Sequence, residues 1–385
     1  LLEPNIIFLN HGSFGACPIP VLEKQAFYRT MLEKEPVRFF LREFEELYYS
    51  ALQELANFIS VNVENIVFIP NATNGINAVL KSLHFTAEDD ILTTNHAYPA
   101  CKNLLHFIAQ KTGAKVNIAP IDLPIHNSQE IVEAIIAKIT PKTKIALIDH
   151  ITSPTGITFP VEQIVKKLSS FGIDTLIDGA HAPGSIKLSV ETIGAAYYVG
   201  NCHKWLCAPK GSAFLYIHPD KQENIHPTTI SHAYISHAMN PYSRFQSEFY
   251  WTGTNDFSAY LCVPESIKFM GNLLSGGWEQ LMKRNSDLVI FARKAFCKIL
   301  NIEPGCPDNM IASMCSFQIS DGNENGPFPH NYVDPLQTRL FNCYNIEVPI
   351  ISWPYPPKRL LRISAQIYNT SEQFEYLATA LEKNR

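Results

Sequence analysis

The sequence predicts an α/β protein built on a mostly parallel sheet, with a second, smaller domain of α+β character. Three observations predict it. Short apolar runs alternate with helix-length stretches between Ile66 and Ile217, and polar or glycine-bearing clusters directly follow those runs. Beyond about Cys262 the pattern changes character. Strands separated by helices need crossover connections, and crossovers produce parallel sheets. At 385 residues the chain exceeds one ordinary core, so two domains are expected.

Taken in order, Ile66–Ile69 reads as a strand, closed by Pro70-Asn71 and followed by a helix from about Thr73 to Leu83. Asp90–Thr94 is the next strand and Ala100–Lys111 the next helix. Ile145–His150 follows, then a loop with Pro154 and Gly156 and a helix around 162–170. The runs Ile173–Ile177, Ala196–Val199 and Ala213–Ile217 complete the β-rich set. A long helical pattern, Trp278–Ile302, precedes an irregular region, and a helix-like tail runs from Ser371 to Glu382. These changes place a large domain over 21–262 and a small one over 1–20 and 263–385. Parallel sheets carry ligands at the carboxyl ends of their strands, where the loops gather.

Composition narrows the function classes. Hydrophobic residues are 46% of the chain and charged residues 17%, ordinary for a soluble globular enzyme. The net charge of −5, from 31 basic and 36 acidic residues, leaves no footprint for nucleic acid or an anionic membrane. No apolar run approaches the roughly 18–20 residues of a membrane span. Nine cysteines, an odd number with no CxxC pair, argue against a zinc ribbon or thioredoxin-like motif and suit a reducing, cytoplasmic setting. The chain begins at Leu1 rather than Met, which leaves a removed targeting segment open.

Five clusters carry chemistry. Asp178-Gly179-Ala180-His181 closes a strand, and a carboxylate there suits a protonated ring nitrogen; an acid capping the next turn is the alternative. Lys204, between His203 and Trp205 after the run Ala196–Val199, can be desolvated enough to form an imine; a lone lysine of this kind is more often a snorkelling surface residue. Asn71-Ala72-Thr73-Asn74-Gly75 opens a helix whose free N–H groups suit an anion, although an ordinary cap explains it equally. Tyr98 follows the next strand, where an aromatic ring stacks on a cofactor or simply packs. Arg362 lies in the strand-like run Leu361–Ser364, and its planar guanidinium suits a substrate carboxylate or a structural ion pair. His226, His232 and His237 cluster in sequence, but no paired acids or ligand spacing support a metal site.

Together, and in this order, these stretches resemble the class V aminotransferases, pyridoxal-phosphate (PLP) enzymes of fold type I, and among them the isopenicillin N epimerase-like branch. The resemblance also rests on Leu9-Asn10-His11-Gly12-Ser13-Phe14-Gly15, His150-Ile151-Thr152-Ser153, Trp251-Thr252-Gly253-Thr254 and Arg362 through Asn369. It spans almost the whole chain. It implies a large domain with a seven-stranded type of sheet, PLP as cofactor, and a homodimer with shared active sites. Lys204 is implied to carry the cofactor as a Schiff base and Asp178 to bind its ring nitrogen. Tyr98 is implied to stack on the ring, with His181 near the phenolic oxygen. Ala72, Thr73 and His203 are implied to hold the phosphate, joined by Thr254 from the partner subunit. Arg362 is implied to bind the substrate carboxylate, and the Asn10–Gly15 loop, with Asn10 and His11, to line the entrance.

Two departures refine the expectation. Cysteine desulfurases carry a nucleophilic cysteine before the substrate arginine, whereas Pro349–Lys358 holds none, which disfavours persulfide chemistry. Ser153 stands where several relatives place Asn near the cofactor oxygen. Once a proton leaves Cα, reprotonation on the other face gives epimerisation, loss of a β-substituent gives C–S lyase chemistry, and reprotonation on the cofactor gives transamination. Epimerase-like action is the first reading and a β-lyase acting on a cysteine derivative the second. A PLP-binding protein without catalysis is the third.

Overall fold

The computed structural model describes residues 1–236, 242–323, 325, 326, 328, 329 and 331–383. His237 lies outside the described residues. The strands are β1 (Ile7–Phe8), β2 (Ile66–Ile69), β3 (Asp90–Thr94), β4 (Lys115–Ala119), β5 (Thr143–Asp149) and β6 (Asp174–Asp178). They continue with β7 (Tyr197–Asn201), β8 (Ala213–Ile217), β9 (Met314–Ile319), β10 (Ile346–Glu347), β11 (Ile350–Ser352) and β12 (Arg359–Ser364).

Seven of them form one sheet in the order β2-β8-β7-β6-β5-β3-β4. Every pair is parallel except those made by β8, which runs antiparallel to both β2 and β7. The central strands are apolar on both faces because helices cover both, and β2, β3, β6, β7 and β8 are almost wholly buried. The expected seven-stranded, mostly parallel sheet is therefore present. β4 is absent from the sequence expectation, and the reason is visible. It is the sheet's edge, and its run Lys115-Val116-Asn117-Ile118-Ala119 is mostly exposed or half-buried, so it lacks a core strand's apolar signature. Strand β5 stops at Asp149, one residue short of the expected His150.

Residues alternate across these strands, and the alternation places the chemistry. Ile145 and Leu147 of β5, Leu176 of β6 and Val199 of β7 pack into one core with Ala72, Ile76, Cys101 and Leu105. Those partners belong to the helices Ala72–Ser82 and Pro99–Thr112. By the same period of two, Asp149 and Asp178 end their strands on that face. The opposite face packs Ala146, Ile148 and Ile177 against the Val161–Ser169 helix.

A three-stranded antiparallel sheet, β11-β12-β9, lies beyond the long Gly277–Leu300 helix, and the final Ser371–Glu382 helix packs on that helix. The chain's start joins this region, since β1 pairs in parallel with β10. The segment between Ile19 and Phe58 is largely helical and closes over the aromatic cluster Phe39, Phe44, Tyr48 and Tyr260. No helix of the described residues is long and apolar enough to cross a membrane.

Candidate active site

Lys204 sits in the tight turn after β7. The turn is closed by the Cys207 N–H donating to the Lys204 carbonyl at 3.1 Å, with Cys207 itself at φ +61°. The N-terminal loop clamps it from outside. Gly15 lies at φ +72°, and a Cβ there would collide with the His203 carbonyl oxygen, so only glycine allows the approach. His11 is fully buried beneath this turn rather than at an entrance, which corrects the expected lining role. Its Nε2 lies 3.0 Å from the Lys204 carbonyl oxygen, which can only accept, so Nε2 carries the proton and Nδ1 accepts from the Tyr368 hydroxyl at 2.8 Å. Burial holds the His11 pKa at about 4, and the ring is neutral.

The protonation state of the lysine follows from its neighbours. The Trp205 indole N–H can only donate, and it reaches His181 Nδ1 at 3.3 Å. Burial depresses the His181 pKa well below its usual value, aided by the charges of Lys204 and Arg362, so the ring is neutral with its single proton on Nε2. That Nε2 lies 3.2 Å from Lys204 Nζ. An N–H aimed at an amine needs the amine's lone pair, so the contact favours neutral Lys204. Desolvation first and the Arg362 charge second pull the lysine pKa down to about 8, against the opposing pull of Asp178.

Asp178 ends β6 beside Lys204 and is buried. Its carboxylate accepts from the Ala180 N–H at 3.0 Å and from the Cys101 thiol at 3.5 Å. Burial raises its pKa, while the Ala180 N–H and Lys204 pull the other way. Tyr98, which precedes the Pro99–Thr112 helix, is 41% exposed and lies within electrostatic reach of this acid.

The anion-holding groups divide differently from the sequence expectation. The Ala72–Ser82 helix starts near the end of β7, but the Ala72 N–H is already taken by Asn201 Oδ1 at 2.9 Å, so it is not free for an anion. Thr73, one residue on, has no such partner for its hydroxyl among the described residues. His203 points Nδ1 at the Ser212 carbonyl oxygen at 3.0 Å, and burial lowers its pKa to about 4. Its Nδ1 therefore donates, and its Nε2 becomes a donor only when an anion holds a second proton on the ring.

Arg362, on β12, is buried without an acid. Its Nη1 donates to the Ser153 carbonyl at 2.6 Å and hydroxyl at 3.2 Å, and its Nη2 to the Ser13 hydroxyl at 2.9 Å. Its Nε has no partner, and no ion pair reaches it among the described residues. Burial lowers its pKa only to about 10, so the guanidinium is a buried cation short of an anion. Ser153 anchors this arginine through its carbonyl and hydroxyl. Asn10 is nearly buried and acts through Ser13, whose hydroxyl donates to Asn10 Oδ1 at 2.5 Å.

The structure thus gathers Lys204, Asp178, His181, Tyr98, Thr73, His203, Ser153 and Arg362 at one carboxyl edge of the sheet. Thr254 is exposed and bonds to none of them among the described residues. His226 pairs with Glu248 at 2.7 Å, so it serves a structural ion-pair cluster, and His232 is exposed. Sequence reading missed Ser13, Asn201 and Tyr368 as functional neighbours, and named Trp205 only as a residue flanking Lys204. Ser13, Trp205 and Tyr368 lie inside the stretches that carried the resemblance, and Asn201 closes the strand before Lys204, so position marked them while role did not.

Known proteins resemble the chain over nearly its whole length. A family model described as aminotransferase class-V matches residues 18–334. An isopenicillin N epimerase of Streptomyces clavuligerus is 30% identical, aligned over 99% of this chain and 96% of its own. A putative L-cysteine desulfhydrase 1 of Oryza sativa subsp. japonica is 29% identical over 99% of this chain and 83% of its own. Among solved structures, a lysine-to-alanine variant of C-DES with glycine covalently linked to its PLP cofactor superposes with a TM-score of 0.83. It covers 98% of this chain and 97% of that one, at 20% identity.

Proposed function

The chain belongs to the class-V aminotransferase family of PLP-dependent enzymes, and from that premise we propose that it acts at Cα of an amino acid or small peptide, in the manner of an isopenicillin N epimerase. The observation that carries the reading is the buried Lys204 amine, 3.2 Å from His181 Nε2, with its pKa lowered to about 8 and lying within electrostatic reach of both Asp178 and Arg362.

The residues present fit PLP. Lys204 offers the aldehyde an amine whose pKa is lowered to about 8, Asp178 offers the ring nitrogen a buried carboxylate, and Tyr98 offers the ring a partly exposed aromatic side chain. Thr73 at a helix N-terminus and His203 would hold the phosphate, and His181 would meet the phenolic oxygen. When bound, PLP supplies an electron sink that acidifies the substrate's Cα proton. The chain's own groups do the rest. Arg362 would take the substrate carboxylate bidentately and so orient Cα. Lys204 would serve as the base for the Cα proton, and its pKa lowered to about 8 suits that task. Asp178 would hold the proton on the cofactor's ring nitrogen.

We also read the active unit as a homodimer in which the exposed Thr254 completes the partner's phosphate site. Residues 21–262 form the cofactor-binding domain, and 1–20 with 263–385 the smaller one, a division supported by the pairing of β1 with β10. Nine cysteines without a disulfide suit a reducing compartment such as the cytoplasm.

The relationship to L-cysteine desulfhydrases favours one second reading, β-elimination of a cysteine derivative. Proton NMR of the PLP-loaded enzyme with a panel of L-amino acids in deuterated water separates the two. Loss of the Cα proton signal with D-isomer formed, and the molecule otherwise intact, establishes epimerase or racemase action. A keto acid with ammonia or sulfide establishes the lyase.

A further inference from the structure

One buried histidine near this site has no part in the mechanism above. His96 follows the end of β3 by two residues and precedes Tyr98 by two, and it is fully buried. Its hydrogen bonds fix where each proton lies. The Ile121 carbonyl can only accept, and it lies 2.8 Å from Nε2, so Nε2 carries a proton. Burial holds the His96 pKa at about 4, so the ring is neutral and Nδ1 is an acceptor. The Thr155 hydroxyl, 2.7 Å away, therefore donates to Nδ1. That leaves the Thr155 oxygen to accept from the Thr152 hydroxyl at 2.6 Å, and the Thr152 oxygen accepts from the Ile157 N–H at 2.9 Å. Donors and acceptors thus alternate without a break from Ile121 through His96 to Ile157.

The turn at the far end of this chain of bonds is the one that holds Arg362. Ser153 follows Thr152, and its carbonyl and hydroxyl take Arg362 Nη1 at 2.6 and 3.2 Å. Ser316, the cross-strand partner of Arg362, donates to the Pro154 carbonyl at 2.7 Å. Gly156 closes the turn by donating to the Thr152 carbonyl at 2.9 Å. It sits at φ +70° so close to Cys315 of β9 that a Cβ would collide with that backbone. The turn is therefore pressed against β9 on one side and tied to His96 on another. His96 has a firm footing of its own. Asn95 bonds to both the N–H and the carbonyl of Ile121, at 2.9 and 3.2 Å, and the Trp353 ring lies 4.7 Å from the imidazole.

We propose that His96 is a positioning residue for the substrate-carboxylate site. One imidazole ties the strand end that leads to Tyr98 to the 152–157 turn that aims Arg362, so the cofactor's stacking wall and the carboxylate-binding cation are set relative to each other. This role rests on the reading that Arg362 binds a substrate carboxylate, whereas the hydrogen-bond chain is a property of the protein alone. That makes the two separately testable.

The experiment uses His96→Ala, Thr155→Val and Thr155→Ser. Thr155→Val keeps the shape and deletes the hydroxyl, while Thr155→Ser keeps the hydroxyl and deletes only a methyl group. In the cofactor-free full chain, amide hydrogen exchange read by mass spectrometry should speed up over 152–157 in His96→Ala and Thr155→Val, and not in Thr155→Ser. In the PLP-loaded enzyme, glycine and glycinamide are titrated against the cofactor's absorption band. Thr155→Val should weaken glycine about three- to tenfold, the effect of one lost hydrogen bond, and leave glycinamide, which has no carboxylate, unchanged. His96→Ala should show the same split, and Thr155→Ser should bind both as wild type does. Unchanged exchange in Thr155→Val would overturn the tie to His96, even if His96→Ala failed to fold. Equal weakening of glycine and glycinamide, wild-type glycine binding by Thr155→Val, or Thr155→Ser as impaired as Thr155→Val would overturn the positioning role. If wild type itself did not prefer glycine to glycinamide, the carboxylate-binding reading of Arg362 would fall, and the exchange comparison alone would still decide whether His96 holds the turn.

Discussion

Arg244 and Arg362 are both held largely out of solvent, and only one of them is complete. Arg244 donates to Glu248 at 2.6 Å and to the carbonyls of Gln222, Glu223 and Ile225, while His226 holds the other Glu248 oxygen at 2.7 Å. Glu248 is 3% exposed, so this is a closed ion-pair cluster that ties the 222–226 turn to the Arg244–Tyr250 helix. Arg362 has two serines, one carbonyl and no acid. The contrast teaches how to separate scaffold from site. A sequestered cation whose partners are all internal fixes the fold, whereas one with donors left over waits for a ligand's charge.

The sharpest test of the open site lies at its other end. Lys204→Ala should abolish turnover, by at least about 10⁴-fold, with wild-type far-UV dichroism, because no neighbouring amine replaces it. Next comes the arginine itself. Arg362→Ala should lower kcat/KM about 10²–10³-fold for substrates carrying a free α-carboxylate, and little for their amides. Equal losses for acid and amide would make Arg362 a second scaffold arginine and end the comparison.

At the closed cluster the expected loss is stability. Arg244→Ala leaves Glu248 buried with only His226 beside it, and about 3–5 kcal/mol of unfolding free energy should go, read as a shifted denaturant midpoint. Activity per folded molecule should change far less than for Arg362→Ala.

A pH test sharpens the open site further. The Lys204 pKa is lowered to about 8, so the amine is neutral above that pH and protonated below it. Condensation with PLP needs the neutral amine. The loading rate of the cofactor-free chain should therefore fall about tenfold per pH unit below 8 and level off above it. Stopped-flow absorbance at several pH values checks this, and a break near the ordinary lysine range would contradict the neutral amine.

Much of this was legible in the sequence, for a physical reason. The core strands Ile66–Ile69 and Ala213–Ile217 are buried on both faces, so they read as unbroken apolar runs with the bounds observed, and Asp90–Thr94 keeps its expected bounds around Ile91-Leu92. Lys204 and Asp178 lie at the ends of such runs, where loops gather in any parallel sheet, and Arg362 occupies a strand of the smaller antiparallel sheet. Illegible were the contacts between distant segments. Nothing local says that Ser153 holds Arg362, that Asn201 occupies the Ala72 N–H, or that His11 lies under Lys204, because each pairing joins residues more than a hundred positions apart. Asp149 reads in the sequence as part of a strand's apolar run, since its neighbour on the next strand is visible only once the register is known.

The smallest effect expected is at Ser13, and it asks how finely the open arginine is aimed. Its hydroxyl donates to Asn10 Oδ1 and accepts from Arg362 Nη2, so the guanidinium is braced from the N-terminal loop as well as from Ser153. Ser13→Ala removes one brace and frees a donor that the substrate carboxylate can still use. A hydrogen bond to a charged group contributes about 1.5–3 kcal/mol, but much of that returns when the freed donor meets the substrate. KM should therefore rise about three- to tenfold with kcat nearly unchanged, the pattern of lost ground-state orientation. A fall in kcat of the same size would mean instead that the Asn10–Ser13 brace acts on the reacting geometry, which would move the N-terminal loop from the scaffold side of the comparison to the site.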